Sequence, residues 1–350
     1  LNPPRLLVAA AEPSADAIGA AVVDALRSRG RLPGLQVRGM GGPALQRAGL
    51  VPEVPVEGTT AVGLLDGLKA ARRGLRVVEG LASAAASWRP HLVLTLDAPS
   101  LTLRLGHRAR RLGVPVVHVG APQVWAWRPG RRRRLSDSVD ELLCLLPFEP
   151  EWFAGHVLAT FVGHPAAELP PAPADPRFTV ALLPGSRRAE VRRLAPVMRD
   201  VARLLWRRRP DVGFVTTAPP GAAGLTGVAA RRVGDVAAVG SATVALAASG
   251  TLTLQLASMG VPQVVIYRTD ALSWAIGRRV VTVPHVALPN LVAGAEVVPE
   301  RLQHLVASDL VDLLMEQADR PRTPLTVGPT GAVQRMAERV ECWMTAAGIG

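Results

Sequence analysis

Short runs of uninterrupted apolar, often β-branched residues recur along this chain and alternate with longer stretches of helical periodicity. They fall at Leu6–Ala10, His91–Leu96, Val114–Val119 and Leu142–Leu146, and again at Thr179–Leu183, Val212–Thr216, Val244–Ala247 and Gln263–Tyr267. A half-exposed strand alternates apolar and polar side chains. These runs do not alternate, so each is expected to be a strand buried on both faces, as in a parallel sheet covered by helices. The helical stretches supply the crossovers that parallel strands require. The expected class is α/β, with two doubly wound, Rossmann-like lobes facing a cleft.

The division between the lobes is expected at Leu169-Pro-Pro-Ala-Pro-Ala-Asp-Pro176, where four prolines in eight residues can continue neither a helix nor a central strand. This gives a first lobe over 1–168, a stiff linker over 169–176 and a second lobe over 177–330. A C-terminal helical segment, 331–350, closes the chain. A length of 350 residues exceeds one typical domain and fits this division.

Composition narrows the function classes. With 49% hydrophobic and 19% charged residues, the chain is not disordered. Its net charge of +12 favours an acidic partner: nucleic acid, an anionic membrane surface or a phosphorylated substrate. Lys69 is the only lysine in a chain rich in Ala, Val, Gly and Pro, so part of that charge reflects a compositional bias toward arginine. The stretch Val236–Tyr267 carries no charge and has the length of a membrane span. However, Ser249-Gly250-Thr251, Gly260 and Pro262 divide it into strand, turn, helix and strand. The apolar start, Arg5–Ala11, is too short for a signal-peptide core and runs into Glu12. Cys144 and Cys342 are far apart, and there is no CxxC motif or His/Cys cluster, so neither a zinc site nor a disulfide framework is expected. A cytoplasmic setting follows.

In doubly wound sheets, ligands bind at the carboxyl ends of strands. After the first strand comes Glu12-Pro-Ser14-Ala15-Asp16, either a ligand-facing loop or a helix start capped by Ser14 or Asp16. Asp97 ends the next strong strand, in Asp97-Ala-Pro-Ser100. A carboxylate there suits a general base or a helix cap. The segment His118–Arg134 holds Trp125, Trp127, Arg128, Arg131 and Arg132. Trp beside Arg suits a membrane interface or an acidic amphipathic ligand, and no nucleic-acid-binding fold accompanies the patch. In the second half, one strand runs into Pro184-Gly-Ser186-Arg187 and another into Ala248-Ser249-Gly250-Thr251, each opening a helix. Two helix N-termini with Arg187, hydroxyls and glycine suit a diphosphate. Neither loop is a Walker or a GxGxxG motif. Asn290, after Pro289, is a polar group at a fixed turn, which Asx-turn chemistry also explains.

Taken in order, several motifs resemble the lipid-A-disaccharide synthase family, glycosyltransferases of the two-lobed GT-B fold. In the first half these are Glu12-Pro-Ser14, Gly41-Gly-Pro43, Asp97-Ala-Pro99, Val124-Trp-Ala-Trp-Arg-Pro-Gly130, Leu145-Leu-Pro-Phe-Glu149 and Phe161-Val-Gly-His-Pro165. In the second half they are Leu182-Leu-Pro-Gly-Ser-Arg187, Ala248-Ser-Gly-Thr251 and Leu288-Pro-Asn-Leu291. The resemblance implies inverting, metal-independent transfer from UDP-2,3-diacylglucosamine to 2,3-diacylglucosamine 1-phosphate, without a cofactor, by a peripheral protein at the inner face of the cytoplasmic membrane. It places Asp97 and Asn290 in catalysis. It places Glu12, Ser14, Ser186, Arg187, Ser249, Gly250, Thr251, Gln255 and Gln303 at the substrates. The chain departs from the family pattern at Ala15, Ser100, Thr102 and Gln255, the last standing where the family has Glu. A GT-B relative acting on another UDP-sugar, as transferase or epimerase, and a non-catalytic UDP-sugar-binding homologue are the alternative readings.

Overall fold

Strands buried on both faces need helices above and below, and the chain supplies them twice. The computed structural model describes residues 3–55, 64–123, 132, 135–218, 225–234 and 236–348, with backbone alone over 64–71. Two compact units form, Leu1–Pro165 with Pro329–Gly350, and Ala166–Gly328.

The first unit contains β1 (Arg5–Ala10), α1 (Pro13–Arg29), β2 (Gln36–Met40), α2 (Pro43–Arg47), β3 (Leu50–Pro52), α3 (Leu64–Trp88), β4 (Leu92–Leu96), α4 (Pro99–Arg111), β5 (Val116–Val119), β6 (Glu141–Cys144), α5 (Glu149–Phe153) and β7 (Leu158–Phe161). Its sheet runs β3-β2-β1-β4-β5-β6-β7, with every pairing parallel. Alternate residues of one strand feed opposite cores. Leu94, Leu96, Val117 and Val119 pack on the α1 side, whereas Val93 and Val116 pack on the side of α3 and α4.

The second unit contains β8 (Thr179–Leu183), α6 (Arg188–Arg208), β9 (Gly213–Thr216), β10 (Ala230–Arg232), β11 (Val244–Ala248), α7 (Thr251–Ser258), β12 (Gln263–Tyr267), α8 (Ala271–Val280), α9 (Leu288–Ala293), β13 (Glu300–Leu302) and α10 (Ala307–Ala318). Its parallel sheet runs β10-β9-β8-β11-β12-β13. The uncharged stretch Val236–Tyr267 resolves into β11, α7 and β12, and α7 is only eight residues long. Among the described residues no helix is long and apolar enough to cross a membrane. The proline-rich segment lies against the second unit, since Asp175 N–H donates to Ser241 O at 2.7 Å.

All eight strands expected from sequence are present. Five more, β2, β3, β7, β10 and β13, were not legible as apolar runs. Four of these are the sheet edges, short strands that are half-buried or exposed over most of their length. The fifth, β2, carries Arg38 and Gly39 in its middle.

The last helix, α11 (Ala332–Ala346), returns to the first unit, packing Met336, Val340 and Met344 into the same core as α1. A buried carboxylate fixes it there. Glu141 at the start of β6 is 0% exposed and accepts from Arg339 Nε at 2.8 Å, Trp343 Nε1 at 2.6 Å and Thr160 Oγ1 at 2.5 Å. A buried charge is tolerable only when paired and hydrogen-bonded. Arg339→Leu strands that carboxylate, and we expect it to destabilise the first unit by about 3 kcal/mol. Chemical denaturation of the full chain, set against the exposed control Arg320→Leu, measures this.

Candidate active-site loops

In the first sheet the strand order reverses between β1 and β4, and helices leave those two strands toward opposite faces. Glu12 follows β1 as the N-cap residue of α1, half-buried, without capping through its side chain. Ser14 is exposed. Neither Ser14 nor Asp16 caps α1. Asp16 instead turns to the next loop, where its Oδ2 accepts from Ala44 N–H at 2.9 Å and its Oδ1 from Leu45 N–H at 3.1 Å. A Cβ on Gly42 would lie 2.7 Å from Asp16 Oδ2, which explains the glycine of Gly41-Gly-Pro43. Ala15 is 1% exposed and belongs to the core.

Asp97 ends β4 half-buried, and both Asp97 and Ala98 adopt left-handed backbone, with φ of 48° and 45°. For residues carrying a Cβ this costs about 1–2 kcal/mol each. The fold holds the turn from three sides. Asp97 N–H donates to Val119 O at 3.1 Å. Thr102, fully buried, donates through Oγ1 to Asp97 O at 2.7 Å, and lies 3.1 Å from Ala98 O. Gly120 leaves room for the carboxylate, since a Cβ there would sit 3.1 Å from Asp97 Oδ1. Thr102 therefore supports the backbone of Asp97, while Ser100 is exposed at the helix start.

His118 lies one pleat before Gly120 on β5, fully buried, with Nδ1 2.8 Å from Thr95 Oγ1. Burial lowers its pKa to about 4, against a weaker opposing effect from the Gly120 backbone. His164 is likewise lowered to about 4 by burial. Both are neutral in the folded chain at pH 7, and the unfolded chain takes up their protons first on acidification. Their stabilisation is therefore complete above pH 6.5 and falls away as pH drops toward 4, by roughly 3 kcal/mol for each. We expect unfolding free energies measured from pH 7 to 4.5 to fall less steeply in His118→Gln than in the wild type.

The second sheet reverses order between β8 and β11, and each runs directly into a helix. After β8, Gly185 (φ 91°) keeps the loop close, since a Cβ there would lie 2.5 Å from Glu190 Oε2 and 3.5 Å from the Ala248 side chain. Ser186 and Arg187 are exposed, and Arg187 is the N-cap of α6 without a side-chain cap. Its guanidinium pairs with Glu190 at 3.1 Å. An anion arriving at this helix end would compete with Glu190 for Arg187.

After β11, Ser249, Gly250 and Thr251 start α7, again without a side-chain cap. Among the described residues nothing beyond its chain neighbours lies within 4 Å of where a Cβ on Gly250 would stand, and Thr251 is exposed. Gln255 is half-buried one turn further along the helix. Ser249 already donates its hydroxyl to Val286 O at 2.9 Å. The same stretch is held from its other side, because Glu300 accepts from Val286 N–H at 3.0 Å and Ala287 N–H at 2.7 Å. This role of Glu300 was not legible in the sequence, since its partners lie 14 and 13 residues away.

Two candidates are engaged differently from a substrate-contacting role. Asn290 is 0% exposed. Its Nδ2 donates to Val298 O at 2.9 Å and its Oδ1 accepts from Val297 and Val298 N–H at 2.8 and 2.9 Å. Those bonds clamp the loop after α9. The Gln303 amide accepts from Thr269 N–H and donates to Thr269 O, both at 3.0 Å, bracing the loop before α8. Of the aromatic and basic segment, Trp125, Trp127, Arg128 and Arg131 lie outside the described residues. Arg132 is half-buried, over the Trp152 ring at 5.1 Å and donating to Trp152 O at 3.3 Å.

The chain matches the family described as lipid-A-disaccharide synthetase over residues 6–317. It is 38% identical to the lipid-A-disaccharide synthase of Anaeromyxobacter sp. (strain K), over 96% of both chains. It is 36% identical to that of Myxococcus xanthus (strain DK1622), over 97% of both. Among solved structures, the fold is shared with a UDP-GlcNAc 2-epimerase from Neisseria meningitidis bound to UDP-GlcNAc, at TM-score 0.65 and 12% identity over 96% of this chain and 99% of that one. The calicheamicin glycosyltransferase CalG4 shares it at TM-score 0.59 and 13% identity, over 99% and 96%. At such identities these two speak for the GT-B architecture alone, whereas the sequence matches are decisive: the chain belongs to the lipid-A-disaccharide synthase family.

Proposed function

We propose that this chain is a hexosyltransferase that transfers a 2,3-diacylglucosamine unit from its UDP-linked form to 2,3-diacylglucosamine 1-phosphate. UDP and the disaccharide 1-phosphate are the products. The observation that carries this reading is that the family motifs Asp97-Ala-Pro99, Pro184–Arg187 and Ala248–Thr251 fall at the strand-order reversals of the two parallel sheets. In such sheets that is where loops part and a ligand enters.

In this reading the Asp97 carboxylate takes the proton of the acceptor hydroxyl. The acceptor oxygen bonds to the donor's anomeric carbon as the bond from that carbon to the diphosphate oxygen breaks, with inversion. The negative charge that develops on the diphosphate is stabilised by the N–H groups that open α6 and α7 and by Arg187, without a metal. In the same reading Gln255, one turn into α7, meets the ribose hydroxyls. An anionic membrane surface is the proposed partner, with the chain peripheral at the inner face, which fits acylated substrates and a net charge of +12.

Incubating purified protein with both lipid substrates in detergent micelles should release UDP only when donor and acceptor are both present. Interconversion of a UDP-sugar without acceptor would favour the epimerase reading, and UDP-sugar binding without turnover the non-catalytic one. Asp97→Asn is expected to lower turnover about a thousandfold or more while UDP affinity, by calorimetry, stays within twofold. Unchanged turnover would remove Asp97 from catalysis. Arg187→Ala should weaken UDP binding about tenfold or more, and Arg187→Lys should restore only part of it, because lysine cannot make the two-pronged contact.

A further inference from the structure

A helix on a protein surface ordinarily turns its apolar stripe inward. Helix α8 does the reverse. None of its ten residues is buried. Trp274, Ala275 and Gly277 are half-buried and mark the inward side. Leu272 and Ile276 are 65% and 54% exposed, Val280 is 39% exposed, and Val281 just beyond is 41% exposed. At about 100° per residue, Leu272, Ile276 and Val280 form one row on the side away from the half-buried residues.

The charges around this row have one dominant sign. Between Arg268 and Ala295 the chain carries Arg268, Arg278 and Arg279 against a single acid, Asp270. That acid is already engaged. It caps the helix by accepting from Ser273 N–H at 2.8 Å and pairs with Arg193 at 3.4 Å. Arg278 and Arg279 are exposed at the C-terminal end, and the helix periodicity places Arg279 beside the apolar row. An outward row of Leu, Ile and Val rimmed by arginine matches an element that lies in the plane of an anionic lipid surface, with aliphatic side chains in the acyl boundary and guanidinium groups at the phosphates.

We propose that α8, with Val281, is the lipid-docking element of the second unit, and that its occupant is the headgroup region of an anionic bilayer. The inference rests on the membrane partner proposed above and assigns it to particular residues. It would bring donor-binding loops to the surface from which an acylated donor is drawn.

Flotation with vesicles tests it, using phosphatidylethanolamine/phosphatidylglycerol and, separately, phosphatidylcholine alone, at about 0.1 M salt. The wild type should float with the anionic vesicles and at least about tenfold less with the neutral ones. Leu272→Ser/Ile276→Ser should lower the anionic partition by about tenfold or more. Arg278→Gln/Arg279→Gln should lower it as well, with a weaker dependence on salt. UDP affinity, and turnover in detergent micelles where transfer is found, should stay within twofold in both variants, and their thermal unfolding should be unchanged. A wild type that floats but transfers nothing would count against the proposed reaction and leave the docking element standing. The proposal is overturned if the wild type does not float, if the Ser variant floats equally well, or if neutral vesicles bind as strongly. It is also overturned if the wild type is dimeric in lipid-free buffer and the Ser variant monomeric, which would make the row a contact between copies.

Discussion

A parallel sheet whose strand order reverses leaves one place where neighbouring strands send their loops apart, and both units of this chain are built around such a place. The helices that begin there present N–H groups with no partner inside the helix. In the second unit neither α6 nor α7 caps those groups with a side chain. Two such helix starts, following the adjacent strands β8 and β11, give a positive, donor-rich surface. The family's motifs at Ser186–Arg187 and Ser249–Thr251 sit on that surface.

The side chains around these loops divide into those that are exposed to act and those already committed. Arg187 and Thr251 are exposed. Ser249, Glu300, Asn290 and Gln303 are committed to backbone, and together they hold the stretches from Val286 to Val298 and at Thr269. Asn290 thus holds the loop after α9 through its buried side chain. Arg187 is intermediate, since Glu190 holds it until a stronger anion displaces that carboxylate. In the first unit the same logic makes Thr102 the support of the strained Asp97 turn. The departure from the family at position 102 is therefore absorbed inside the fold and does not lie on the exposed loop surface.

Much of the architecture was legible in the sequence because central parallel strands announce themselves as apolar runs. The edge strands β3, β7, β10 and β13 were not, because they are short and mostly exposed or half-buried, which leaves no such run. The loops with chemistry were found by their place after strands, but the partners of their side chains were not. Nothing local shows that Asp16 caps α2 across 28 residues, or that Glu141 meets Arg339 across 198. Contacts over such separations arise from topology, which periodicity does not encode. The outward apolar row of α8 is not legible in the sequence for a related reason, since the spacing of Leu272, Ile276 and Val280 does not show which side faces the protein.

The central claim is that the second unit holds a nucleotide diphosphate on the starts of α6 and α7. A crystal structure of the chain with UDP tests it most directly. The account predicts diphosphate oxygens within hydrogen-bond distance of N–H groups at the loops after β8 and β11, with Arg187 turned from Glu190 to a phosphate. UDP bound elsewhere, or at these loops with the Arg187–Glu190 pair intact and both helix starts untouched, would contradict it.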